Sequence, residues 1–438
     1  MNTKKENKRR YVYKIVVAVI LTAIVTAMVT STVEYKNFER MLKERNLYFS
    51  TNGETFFDVS SNSGVSNDKD ASFEERMNYL ENKILEFKSL FTNQALGEID
   101  DEKMIEYAIK GYVLGLDDKY VEYYTKEEMD KQMEDTESTF VGIGVYVYQD
   151  VDTNTIQIAG TFEESDARAK GLEIGDIILA IDDVPFSGSE LDDAIKHMKG
   201  EAGTKVKITI QRNDQVLDFE VERRKIIVPH VASKMLDDYP KIGYIQIDAF
   251  DMTVDEQFKN ELDNLIAKND VKGLIIDIRS NGGGVVDVAA SIADYFVPKG
   301  AKIYSVKSKD NKEKTTVASS DVMYNMPVVI MTNQYTASAS ELMTAAIREN
   351  KEDCRIVGKT TYGKGVIQNL LRLIDGSGIK YTAEEYFTSK GESINEVGIK
   401  PDVDVDLTKD KDGKYQVEES TDAQLKAAVT TLTRMIDD

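Results

Sequence analysis

The chain has 438 residues, 41% hydrophobic and 30% charged, with a formal net charge of −22. That length exceeds one ordinary core and predicts two or three domains. The acidity is spread along the chain as a solvated surface and excludes a nucleic-acid partner, whose phosphates it would repel. A single cysteine, Cys354, excludes an internal disulfide, and its apolar setting reads as a buried structural thiol.

Lys4, Lys5, Lys8, Arg9, Arg10 and Lys14 precede the uncharged run Ile15 to Val33. Nineteen helical residues span about 28 Å, close to the hydrocarbon thickness of a bilayer. Residues 1–14 then read as a basic cytoplasmic segment and 15–33 as a single transmembrane helix, placing everything after Val33 outside the cell membrane. The run exceeds the apolar region of a cleaved signal peptide, which is the competing reading. Residues 34–72 read as a stalk and a Ser/Asn/Gly/Asp-rich linker. Ser72 is placed to cap a helix carrying Met77, Leu80, Ile84, Leu85 and Phe87, and a second helix is predicted from Asp101 to Leu116. This helical region, 73–135, has apolar faces and no catalytic chemistry, which suits packing or dimerisation.

Short strands begin near Thr139 and define a domain over 136–225. Phe140-Val141-Gly142-Ile143-Gly144 offers a tight loop whose amides form a nest for a carboxylate. Strand-like runs follow at 156–159, 176–181 and 206–211, with a helix at 190–198. Lys199, just before Gly200, is where a basic contact between this domain and the next is expected. The next domain, 226–420, alternates strands and helices: a strand at 242–247, a helix at 253–267, a strand at 273–279, the glycine loop Ser280 to Gly284, and a helix at 285–296. A glycine loop between strand and helix serves either a tight turn or an oxyanion site of exposed amides. There is no Lys-Ser/Thr of a phosphate-binding loop.

Pro327 to Met331 reads as a buried strand, and Leu342, Ala345, Ala346 and Ile347 recur at helical spacing. Ser338 falls where strand turns into helix, and N–H groups at a helix start can face a developing negative charge. Ser338-Ala339-Ser340-Glu341 also fits a capping box, a purely structural role. A serine nucleophile needs a base. His197 and His230 are the only histidines and lie far off in sequence, which favours Lys364, set between Gly363 and Gly365. Lysine abstracts a proton near neutral pH only when its surroundings favour the neutral amine. In a strand, 364, 366 and 368 share a face, so Gln368 would point the same way and hold that amine.

Five segments now agree: D-I-R-S-N-G-G-G (277–284), T-A-S-A-S-E (336–341), Y-G-K-G-V-I-Q (362–368), Y-F-T-S-K-G-E-S-I (386–394) and G-I-K-P-D-V (398–403). Together with G-Y-V-L-G-L-D-D-K-Y (111–120), they resemble the C-terminal processing peptidases, or tail-specific proteases, over about residues 75–435. The region opened by Phe140 to Gly144 resembles the family's PDZ domain, in which a glycine loop takes the C-terminal carboxylate of a peptide that adds as a strand. Two departures are small: Ser165-Asp166-Ala167 replaces the usual Ser-Pro-Ala, and one residue is added between Ser338 and Lys364, in the loop 349–353.

The resemblance implies a multidomain α/β and α+β protein: a membrane helix, a helical dimerisation segment, a PDZ domain, a crotonase-like peptidase core and a C-terminal helix at 421–438. It implies Ser338 as nucleophile, with Ser340 as the lesser choice, Lys364 as general base and Gln368 as its positioner. The amides of Gly283 and Ala339 would form the oxyanion hole, with Gly282 or Gly284 as substitutes. Phe140, Val141, Gly142, Ile143 and Gly144 would bind the peptide. The substrates would be proteins with free C-terminal tails, the chain a homodimer, and the chemistry free of metal and cofactor. Two competitors remain: a membrane-anchored PDZ scaffold with an inactive core, and a crotonase-like acyl-CoA enzyme, which export from the cytoplasm opposes.

Overall fold

The computed structural model describes residues 72–321, 324–410 and 414–437. The basic segment, the apolar run 15–33 and nearly all of the linker lie outside the described residues. Among the described residues no helix is long and apolar enough to cross a membrane. The chain divides into two compact units: the described part of Met1–Met129 with Gln368–Thr382, and Asp130–Ile367 with Ala383–Asp438. The PDZ-like region and the α/β core therefore share one unit, whereas the hairpin 368–382 groups with the N-terminal helices.

In the first unit, α1 (Phe73–Gln94) starts at Ser72, whose Oγ accepts the Glu75 amide while the Glu75 carboxylate accepts the Ser72 amide. This reciprocal pair satisfies two of the orphan donors at a helix start. Asp100 caps α2 (Asp101–Leu114) through the Lys103 amide at 3.0 Å. Strand β1 (Glu122–Tyr124) pairs antiparallel with residues 378–380, and Lys380 Nζ bonds Glu122 Oε2 at 2.7 Å.

The second unit opens with α3 (Lys126–Glu137), which begins just before the unit boundary. Next come β2 (Thr139–Gly142), β3 (Val145–Asp150), β4 (Thr155–Thr161), α4 (Asp166–Lys170), β5 (Ile177–Ile181), β6 (Val184–Pro185), α5 (Leu191–Met198), β7 (Lys205–Arg212), β8 (Gln215–Glu222) and β9 (Arg224–Ile227). The expected run 140–145 is thus two strands, broken at Ile143-Gly144: β2 pairs with β9, and β3 enters a sheet of order β3-β4-β5-β7-β8. Strand alternation turns Ile156, Ile158, Val206, Ile208 and Ile210 into one core. Ala167 of α4 and Ala194 and Met198 of α5 cover it.

The α/β core follows with β10 (Val231–Leu236), β11 (Tyr239–Ile247), α6 (Val254–Lys268), β12 (Gly273–Asp277), α7 (Val286–Asp294), β13 (Lys302–Ser308), β14 (Glu313–Val317), β15 (Val328–Thr332), α8 (Ala339–Asn350) and β16 (Cys354–Gly358). The chain ends with β17 (Val366–Arg372), β18 (Gly378–Phe387), β19 (Val403–Asp404) and α9 (Ala423–Asp437). The main sheet runs β10-β11-β12-β15-β16-β19, parallel from β11 onward. Every residue of β12 and β15 is buried, as expected for parallel strands covered on both faces.

Alternation explains the two covers. Leu274, Ile276, Val328 and Ile330 face the α6–α8 side, while Ile275, Val329 and Met331 meet Leu425, Ala428, Val429 and Leu432 of α9. The result is helix, sheet, helix in three layers. Arg279, at the end of β12, fastens the last layer: it forks onto Asp277 and reaches Asp422, just ahead of α9, at 2.7 Å.

Candidate active site

At the carboxyl end of β15 the chain turns through Asn333 to Ala337 into α8. Thr336 Oγ1 donates to the Ile278 carbonyl at 2.9 Å, and the Ala337 amide to the Asn281 carbonyl at 3.1 Å. These bonds bind the turn to the glycine loop beyond β12. Ser338 sits at the turn's apex with φ 58° and ψ −120°, a conformation that L side chains rarely adopt. Its exposure is only 8%.

Ser338 and Glu341 approach each other as in a capping box, but the bonds of good geometry are to the backbone. The Glu341 amide donates to the Ser338 carbonyl at 2.9 Å, and Glu341 Oε2 accepts the Ser338 amide at 2.8 Å. The serine hydroxyl makes no cap bond. Ser340 is fully buried, and its hydroxyl donates to the carbonyl oxygen and Oδ1 of Asn281 at 3.0 and 2.9 Å. The lesser choice of nucleophile is thereby shut inside the fold.

Glu341 does more than cap. Fully buried, it accepts the Thr361 hydroxyl and the Gly363 amide on Oε1, the latter at 2.8 Å, and the Lys364 amide on Oε2 at 2.9 Å. One oxygen thus receives the amides of both Ser338 and Lys364. The two nitrogens lie within about 6 Å of each other, since each is one hydrogen bond from a common atom. Lys364 itself is half-buried.

The glycine loop passes directly beneath the serine. A Cβ added at Gly283 (φ +100°) would stand 2.9 Å from both Ser338 Cβ and the Ala339 nitrogen, so only glycine allows this approach. The Gly283 amide closes the loop's own turn, donating to Asn281 Oδ1 at 2.9 Å. In this conformation it is engaged. Ala339, the first residue of α8, has an amide with no intrahelical acceptor. The Asn281 side chain also donates to the Ile247 carbonyl at 2.9 Å, joining three strands' ends around the site.

The remaining expected residues fall as follows. Lys364 precedes β17 rather than lying in it, so the strand alternation invoked to align it with Gln368 does not apply. Gln368 belongs to the other compact unit, with Nε2 3.4 Å from Thr382 Oγ1. Phe140, Val141 and Gly142 lie on β2, and Ile143 and Gly144 in the break before β3. The Ile143 side chain is in the PDZ core, and the carbonyls of Ile143 and Gly144 accept the Ala167 and Phe162 amides at 3.3 and 3.1 Å. Lys199 pairs with Glu134 of α3 and lies over the Phe140 ring. His197 Nδ1 meets the Asp193 carbonyl at 2.8 Å, and His230 Nε2 faces Asp251 at 3.4 Å. Asn281 and Thr361 are organising residues that sequence reasoning passed over, and Glu341, read there only as a cap, also holds residues 361–364.

Comparison with known proteins agrees with this architecture. Residues 241–405 match Peptidase family S41, and residues 130–211 match a PDZ domain. Carboxy-terminal processing protease CtpA of Bacillus subtilis (strain 168) is 32% identical over 351 residues, covering 80% of this chain and 73% of that protein. A probable CtpA-like serine protease of Staphylococcus haemolyticus (strain JCSC1435) is 33% identical, over 69% of this chain and 60% of its own length. Among solved structures, the photosystem II D1 C-terminal processing protease aligns with TM-score 0.42 at 23% identity, covering 75% of this chain and 89% of that one. The chain belongs to peptidase family S41, among its carboxy-terminal processing proteases, serine peptidases that here carry a PDZ domain.

Proposed function

We propose that this serine peptidase works through a Ser338–Lys364 dyad and cleaves proteins near their C-termini after its PDZ domain has taken hold of the tail. The observation that carries the reading is the convergence of the Ser338 and Lys364 amides on Glu341 Oε2. Neutral Lys364 takes the Ser338 proton, and the oxygen attacks the scissile carbonyl. The oxyanion is held by the Ala339 amide and by that of Gly283, which exchanges its bond to Asn281 Oδ1 for the substrate oxygen. The lysine ammonium protonates the leaving amine. Water, deprotonated by the same lysine, then releases the acyl-enzyme.

The PDZ sheet supports tail capture, because β3 lies at its edge and, among the described residues, pairs as a strand with β4 alone. An extended tail can add along its open side, with its carboxylate at the 140–144 loop. The apolar run 15–33 anchors the protein with its catalytic part outside the cell membrane. Two copies pair through the helical segments, and the core is of the crotonase-like kind.

The test is labelling by a fluorophosphonate probe. The reading requires a labelled wild-type chain and no labelling of Ser338→Ala. An unlabelled wild-type chain, or labelling unchanged by the substitution, favours the anchored PDZ scaffold with an idle core.

A further inference from the structure

Tyr386 lies on β18, in the segment Y-F-T-S-K-G-E-S-I, and the mechanism above makes no use of it. Its ring is 1% exposed. Burial, with the neighbouring Glu341 charge, holds its phenol well above the ordinary titration range, so the hydroxyl remains a donor. That hydroxyl donates to the Ser338 carbonyl at 3.1 Å, and the Tyr386 amide donates to the Gly365 carbonyl at 3.0 Å. One residue therefore grips the nucleophile's own carbonyl and the carbonyl next after Lys364.

The two ties differ in kind. Glu341 collects the amide ends of Ser338 and Lys364. Tyr386 takes the opposite, carbonyl ends of the same two segments, and its hydroxyl is the side-chain donor in that tie. The Ser338 backbone needs this help: φ 58° with ψ −120° costs about 1–3 kcal/mol and persists only where surrounding bonds over-determine it. The same carbonyl also accepts the Glu341 and Leu342 amides, at 2.9 and 3.0 Å.

We propose that Tyr386 is a positioning residue for hydrolysis, holding the carbonyl ends of the Ser338 and Lys364 segments so that hydroxyl and amine stay in line. The inference rests on the dyad reading. Its test is Tyr386→Phe in the full chain, which keeps the ring that fills the core and removes only the donor. Fluorophosphonate labelling is followed to completion, small-ester hydrolysis gives kcat and KM, and circular dichroism gives the thermal midpoint.

The variant should label to the wild-type stoichiometry, with KM unchanged, while the labelling rate constant and kcat fall about ten- to hundredfold, the scale of one buried hydrogen bond. A residue that merely packs would lower the labelled fraction or the midpoint and leave the rate of each labelled site alone. That result, or rates within about twofold of wild type, overturns the inference. If Tyr386→Phe unfolds, 3-fluorotyrosine at position 386 keeps ring and hydroxyl while strengthening the donor, and an unchanged labelling rate then overturns it. Failure of the dyad reading is distinct: the wild-type chain itself goes unlabelled at Ser338, and the role of Tyr386 falls with it.

Discussion

Ser338 and Lys364 donate their backbone amides to the same oxygen of Glu341, at 2.8 and 2.9 Å. The carboxylate is buried and its other oxygen receives the Thr361 hydroxyl and the Gly363 amide. In Glu341→Gln an NH2 group must face donors on one side. Unsatisfied buried donors cost about 1–3 kcal/mol each. The variant should lose about 2–4 kcal/mol of stability by urea midpoint and more than about a hundredfold in ester hydrolysis. Near-wild-type values for both would show that the shared oxygen is incidental.

Lys364→Ala and Lys364→Arg should both abolish cleavage with the fold intact by circular dichroism. Arginine keeps its charge and cannot act as base. For the wild-type enzyme, kcat should fall as pH drops and the amine gains its proton. A rate insensitive to pH between about 5 and 8 would point to another base.

Ser340→Ala should remain reactive toward a fluorophosphonate while Ser338→Ala does not. Removing the Ser340 hydroxyl deletes its bonds to Asn281, which also holds the Gly283 amide. A stability loss of about 1–2 kcal/mol is expected. Loss of labelling in Ser340→Ala alone would transfer the nucleophile's role.

The link between β12 and α9 gives a purely structural prediction. Arg279 pairs with Asp277 and Asp422, which are 4% and 0% exposed. Arg279→Ala strands two buried carboxylates, and breaking such pairs costs about 3–5 kcal/mol. An unchanged urea midpoint would refute it.

Burial pushes the Cys354 thiol from its ordinary 9.0 up to about 12. Between those values the unfolded chain releases a proton that the folded chain retains, so stability falls as pH rises through the window, by about 1.4 kcal/mol per pH unit. Below pH 9 the contribution is flat. Iodoacetamide should spare the native thiol and modify it on unfolding; rapid alkylation of the folded protein would contradict its burial.

Much of the frame is legible in sequence because it rests on local periodicity. The apolar runs 273–276 and 328–331 are fully buried parallel strands, and the helical spacing from Leu342 is α8. The S-A-S-E segment is legible as a cap, but nothing local tells that Glu341 reaches past it to residues 361–364. Such contacts join segments twenty or more residues apart, and they depend on where β16 releases the chain. The same limit hid Asn281 and Tyr386, and it let strand alternation be applied to Lys364, which lies before β17 begins.

The two glycines beside Lys364 are a matter of clearance rather than of looseness. A Cβ on Gly363 would meet the Gly398 nitrogen at 2.8 Å, and one on Gly365 the Asn395 nitrogen at 2.6 Å. The lysine's carrier is wedged main chain to main chain against residues 395–398. Moving Lys364 therefore means shifting both backbone strips of this chain together, as one slab and not about a hinge.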